Sequence, residues 1–138
     1  SSNYIDVRNE PLYPFGYGLS YTTYAYSDIV LSGKEMTKDG RLTATVTVTN
    51  TGKREGDEVV QLYIHDKVAS LSRPVKELKG FQLIHLAAGE SKKVTFDITP
   101  DMLRFYNYNL EEVLEPGEFD LMIGPNSREV KTISFIVK

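Results

Sequence analysis

Cysteine and tryptophan are both absent from this sequence. Without cysteine there is no disulfide framework, no thiolate metal site and no cysteine nucleophile. The absence is neutral about compartment, because many periplasmic and secreted proteins also lack the residue. The missing tryptophan removes a frequent sugar-stacking side chain. Only two histidines occur, His65 and His85, and no spacing around them supplies the three or four ligands that a zinc-type site needs. Both read as surface histidines, His65 on the exposed parity of its strand. No apolar run approaches the ~18 residues of a membrane-crossing helix, and no signal peptide is visible. Sixteen basic residues are dispersed through a chain of net charge −3, so the basic footprint of a nucleic-acid binder is missing. No glycine-rich phosphate loop and no serine in a nucleophile elbow is present. No cofactor, metal, nucleic acid or membrane is therefore expected as a partner.

What remains is enough for one packed domain. The chain has 138 residues, 41% of them hydrophobic and 25% charged, a composition that argues against disorder along its whole length. A domain of this size buries roughly two-thirds of the surface its unfolded chain exposes.

The dominant pattern has a period of two. In Leu42-Thr43-Ala44-Thr45-Val46-Thr47-Val48-Thr49 the apolar residues take every even position and threonine every odd one. That is a strand with one buried and one wet face. Val60, Leu62 and Ile64 share a face in the same way, as do Val94, Phe96 and Ile98, then Phe119, Leu121 and Ile123, and finally Ile133, Phe135 and Val137. In 22–33 the parity changes between Tyr24/Tyr26 and Ile29/Leu31, and a bulge near Ser27-Asp28 brings all four to one side. In 75–86 Phe81 and Leu83 compete with Ile84 and Leu86, so the inward face is left unassigned. Turn signals separate these runs: Lys38-Asp39-Gly40, Asn50-Thr51-Gly52, Ala88-Gly89-Glu90, Glu115-Pro116-Gly117 and Gly124-Pro125-Asn126-Ser127. Thr99-Pro100-Asp101-Met102-Leu103 supports a single helical turn at a corner between strands. About seven strands spaced in this way predict an all-β, immunoglobulin- or fibronectin-III-like β-sandwich over residues 22–138. Residues 1–21 read as an irregular connector, and the start at Ser1-Ser2-Asn3 suits either a fragment of a longer protein or a processed N-terminus.

The connector Pro11-Leu12-Tyr13-Pro14-Phe15-Gly16-Tyr17-Gly18-Leu19-Ser20-Tyr21-Thr22 resembles the segment of family-3 glycoside hydrolases that leads into their C-terminal domain. The resemblance continues in family order. It runs through Val48-Thr49-Asn50-Thr51-Gly52, Gly56-Asp57-Glu58-Val59-Val60-Gln61-Leu62-Tyr63 and Arg73-Pro74-Val75-Lys76-Glu77-Leu78-Lys79-Gly80-Phe81. It ends at Glu115-Pro116-Gly117-Glu118-Phe119 and Ile123-Gly124.

It implies a parent enzyme with a barrel domain, an α/β sandwich domain and then this fibronectin-III-like domain. Such enzymes are mostly β-glucosidases, with β-xylosidases among their relatives. They retain anomeric configuration with an aspartate nucleophile in the barrel and a glutamate acid/base usually in the α/β domain, so no catalytic residue is expected here. Ser27-Asp28-Ile29, the nearest match to the family's Ser-Asp-Trp nucleophile setting, lacks the tryptophan and lies in a strand. Retaining chemistry also needs two carboxyl groups about 5 Å apart across a sugar. The acidic residues here fall mostly at turns or on exposed parities, as Glu55, Asp57, Glu90 and Asp97 do. Phe119 stands where fibronectin-III domains often carry a corner tyrosine. Phenylalanine cannot make that tyrosine's hydrogen bond, so the corner must be held another way, with segment 103–113 the candidate.

The chain is thus expected to be a non-catalytic accessory domain that packs on the catalytic domains of the same polypeptide, in a periplasmic or secreted parent. Tyr13, Phe15, Tyr17 and Tyr21 are candidate contacts, either docking on those domains or forming a platform for oligosaccharide. Docking is favoured, because glycine and proline interleaving suits a fixed path between packed surfaces. Arg73 and Glu77 are candidates for a clasp on the catalytic domains, or belong to an edge strand whose lysines discourage aggregation. The loop from Asp66 to Ser72 is the part best placed to reach an active site. A carbohydrate-binding module is the alternative reading, and an immunoglobulin-like spacer a further one.

Overall fold

The computed structural model describes residues 5–9, 22–67 and 76–138. Among them the strands are β1 (Ile5–Asn9), β2 (Thr22–Tyr26), β3 (Val30–Leu31), β4 (Glu35–Met36), β5 (Leu42–Asn50), β6 (Gly56–Asp66), β7 (Lys76–Leu86), β8 (Ser91–Ile98), β9 (Phe105–Tyr106), β10 (Glu112–Val113), β11 (Gly117–Gly124) and β12 (Lys131–Val137). One sheet runs β1-β2-β5, with β3 continuing beside β5 beyond the end of β2 and β8 on the other edge of β5. The second runs β4-β12-β11-β6-β7. All pairings are antiparallel except β4 with β12.

The inner faces are those set by the alternation. Ala44, Val46 and Val48 meet Val60, Leu62, Ile64, Val94, Phe96, Ile98, Phe119, Leu121, Ile123, Phe135 and Val137 in one buried cluster, with Ile133 at its margin. This is the expected β-sandwich. The outer face of β5 and β8 is a hydroxyl surface, where Thr45 bonds Thr95 across the strands at 3.0 Å and Thr49 bonds Ser91 at 2.6 Å.

The bulge in 22–33 is present. Between the pairs Tyr26–Val48 and Val30–Thr45 the first strand advances four residues and β5 three. Ser27 fills the gap: its N–H donates to the Thr47 carbonyl at 2.9 Å, and its Oγ accepts from the Thr47 N–H at 2.8 Å. The extra residue changes parity, so Tyr24, Tyr26 and Ile29 are all buried and Leu31 packs at the core margin.

Pro100–Leu103 forms the single turn at the corner, as a 3₁₀ helix. Phe119 stacks on Phe135 with ring centroids 5.6 Å apart and 16° between planes. It shares a cleft with Met102, Leu103 and Phe105, so apolar packing by the 3₁₀ turn and the residues just after it holds the corner in place of a phenolic hydrogen bond. Residues 5–9, read within the connector, extend the first sheet as β1, antiparallel to β2. Their Ile5/Val7 alternation is too short to stand out from the irregular sequence around it.

Candidate interdomain contact surface

Tyr13, Phe15, Tyr17, Tyr21 and Arg73 lie outside the described residues, as does most of the Asp66–Ser72 loop. Glu77 is exposed near the start of β7, opposite Ile64, with its carboxylate 3.6 Å from the Lys79 ammonium. Such a surface pair contributes little by itself.

A surface that parity alone did not assign is the outer face of the β6–β7 ribbon. Leu62 pairs with Gly80 but Tyr63 with Leu78, so Lys79 is an extra residue in β7. Beyond this bulge Ile84 and Leu86 point into the core, while Phe81 and Leu83 lie outside, 67% and 66% exposed. The parity change also places Leu78 on the outside, and Val59 pairs with Leu83 on the same face. Four apolar side chains therefore adjoin on the wet side of a ribbon whose outer strand, β7, has no strand beyond it among the described residues. At one end of the patch, the His85 ring bonds Asp57 at 2.7 Å and Glu55 at 3.0 Å. The Asp57 hydrogen bond, followed by that of Glu55, raises the affinity of this imidazole for its proton above the ordinary value. An apolar centre with a charged margin is the anatomy of a protein contact.

A second protruding feature is the β9–β10 hairpin. Asn107 builds its tip: its N–H donates to the Glu111 carbonyl, its carbonyl accepts from Leu110, and its Oδ1 accepts from the backbone N–H groups of Asn109 and Glu111. On this frame Tyr106, Tyr108 and Leu110 are 63%, 70% and 81% exposed. Leu110 has φ of 62°, the left-handed region, which costs a branched residue about 1 kcal/mol or more relative to glycine. The sequence signal for this tip was weak, because its side chains carry the same apolar letters as core residues.

Polar groups sealed at one end of the sandwich hold the ribbon in place. Asn50 is fully buried. Its Nδ2 donates to the carbonyls of Arg54 (2.7 Å) and Leu86 (3.1 Å), and its Oδ1 accepts from Gly52 N–H (2.9 Å) and the Thr22 hydroxyl (2.5 Å). Glu58 is buried too, accepting from the Tyr26 hydroxyl at 2.7 Å. Its place was legible in parity, since it shares the even positions of Val60, Leu62 and Ile64. Burial pushes its carboxyl up to about 7, against the opposing pull of the Tyr26 hydrogen bond. Tyr24, beside it, is pushed up to about 12 by burial, with Glu58 and Asp57 adding to the effect.

The folded state thus holds the Glu58 proton more tightly than the unfolded chain does. The resulting stability is complete below the unfolded value of 4.5 and is lost as pH rises through about 7. The expected loss is about 3 kcal/mol. Thermal unfolding from pH 4.5 to 8 should show a falling midpoint that flattens in Glu58→Gln, and an equally steep curve in that variant would assign the dependence to other groups.

His65 lies on the outer face as its parity indicated. It is half-buried, its Nδ1 3.7 Å from Asp120. Among the described residues no group of three or more histidine, cysteine or acidic side chains is arranged around a metal position.

A family model described as a fibronectin type III-like domain matches residues 58–127. A periplasmic beta-glucosidase of Salmonella typhimurium is 54% identical over 98% of this chain, and a putative beta-xylosidase of Formosa agariphila 53% over 98%. In both cases the match spans only 18% of the relative. Among solved structures, a beta-glucosidase from Listeria innocua in complex with glucose superposes with a TM-score of 0.79 at 44% identity, over 99% of this chain and 19% of that one.

Proposed function

Because the chain belongs to the fibronectin type III-like domain family, we propose that it is a non-catalytic accessory domain of a β-glucosidase-like glycoside hydrolase, packing on the catalytic domains of its own polypeptide and stabilising them. The parent's reaction in this reading is hydrolysis of terminal β-glucosidic bonds in oligosaccharides. The relatives named as beta-glucosidases, more than four-fifths of whose length lies outside the match, support a large catalytic remainder. The relative named as periplasmic supports a periplasmic or secreted location. No helix among the described residues is long and apolar enough to cross a membrane.

The observation that carries the docking role is the outer face of β6–β7. A long edge strand bearing Leu78, Phe81 and Leu83 on its wet side is an aggregation hazard unless something covers it. The connector residues Tyr13, Phe15, Tyr17 and Tyr21, with Arg73 and Glu77, are assigned to the same docking role. Phe81→Ser combined with Leu83→Ser should leave the domain's own fold intact, because neither side chain enters its core. In the full-length hydrolase the pair should lower the apparent melting temperature, by roughly 0.6 °C for each kcal/mol lost in a protein of the relatives' length. It should also open the domain to protease. An unchanged melting temperature together with unchanged proteolysis would remove this face from the interface.

A further inference from the structure

We propose that the β9–β10 hairpin is a preformed knob that inserts into a recess of the catalytic part of the same polypeptide. This rests on the accessory-domain reading above and adds a second, separate point of attachment to it.

The hairpin breaks a local rule with no return inside its own domain. Leu110 occupies a left-handed backbone position that glycine or asparagine fills with less strain, yet its side chain is 81% exposed and contributes nothing to the core. Tyr108 and Tyr106, 70% and 63% exposed, repeat the pattern on either side of Asn107. Large apolar side chains at a loop tip, where polar residues suffice, indicate a surface that is covered in the working protein. The tip is also fixed before any partner arrives. Four hydrogen bonds through Asn107 set its path, and the base is anchored by buried Phe105 and Leu103. Tyrosine on a rigid loop loses little conformational entropy on burial, which suits insertion into a concave surface.

The occupant follows from chain length. In the relatives this domain is tethered to a segment more than four times its size. A tethered partner is present at an effective concentration that a free one rarely reaches. Leu110 at the apex favours a protein recess over a sugar, whose recognition would use the tyrosine faces and leave leucine without a role.

The test uses the full-length hydrolase with a benzophenone photo-crosslinking amino acid placed at position 108, and in a second preparation at position 83. Irradiation followed by peptide mapping should give a crosslink from position 108 to a peptide of the catalytic part in the same chain. A crosslink to a second copy, or none at all, overturns the proposal. A crosslink from position 83 without one from 108 leaves the accessory reading standing and removes only the knob. Failure at both positions removes both. As an independent readout, Leu110→Asn relieves the backbone and should nevertheless lower the full-length melting temperature, by about 1 °C in a protein of the relatives' length. A rise in melting temperature would mean that Leu110 has no partner.

Discussion

Replacing Asn50 by leucine is expected to lower the stability of the domain by about 4 kcal/mol. The side chain is nearly isosteric, so the loss is one of hydrogen bonding rather than volume. Both amide hydrogens and both carbonyl lone pairs of Asn50 are used. They join the start of β2, the turn at 52–54 and the end of β7 to the end of β5. Leucine leaves the carbonyls of Arg54 and Leu86, the Gly52 N–H and the Thr22 hydroxyl to find other partners where the side chain that served them was fully buried. Asn50→Asp keeps the shape and both acceptors but loses both donors and adds a charge facing carbonyl oxygens, so it should fare no better at pH 7. Urea unfolding measures this directly. With a slope near 1.5 kcal/mol/M the midpoint moves by roughly 2.5 M. A shift of less than about 0.7 M would mean that water replaces the amide at little cost.

Gly124→Ala is the second large effect, at about 3 kcal/mol. A Cβ on Gly124 would stand 2.0 Å from the Glu129 carbonyl oxygen and 3.0 Å from the Val130 Cα. Both obstacles are backbone, so no side chain can swing aside. The turn they belong to is itself tied down, because Asn126 Oδ1 accepts from the N–H groups of Arg128 and Glu129. The turn must therefore open, and with it the β11–β12 pairing that starts at Ile123–Lys131. Gly89→Ala makes a useful comparison. Its position has φ of 78° with nothing within 4 Å, so only backbone strain of about 1 kcal/mol applies. Equal effects at the two glycines would mean that the turn at 125–130 yields without resistance.

The strands with a run of alternate apolar residues could be read directly, core face included: β5, β6, β8, β11 and β12, although Val59, Met122 and Ile136 fall on the other parity. The bulge at Ser27 was also legible, because two apolar pairs of opposite parity flank a polar dipeptide. The face of β7 was not. It has apolar residues on both parities, and its bulge at Lys79 is marked only by the neighbouring Gly80, which does not say which parity turns inward. The outward position of Phe81 and Leu83 is consequently a tertiary fact, decided by which residues β6 presents opposite them. Asn50 was legible only as part of a turn signal. An asparagine that begins a turn and one that is fully sealed by it look alike until the ends of β5, β7 and β2 are brought together. The exposure of the β9–β10 tip was hidden for a related reason. Tyrosine and leucine identify apolar surface, and only the fold says on which side of it they lie.

The hydroxyl surface of β5 and β8 gives the domain a back as well as a front. Thr45 with Thr95 and Thr49 with Ser91 satisfy one another across the strands, and the only large apolar side chain exposed beside them is Val30 at the β3 edge, among the described residues. The opposite flank carries Phe81 and Leu83. If the Phe81 side docks as proposed, the threonine side is the place for affinity tags, fluorophores or surface immobilisation. Under that reading, cargo attached at exposed Lys93 would sit on the sheet opposite Phe81 and Leu83.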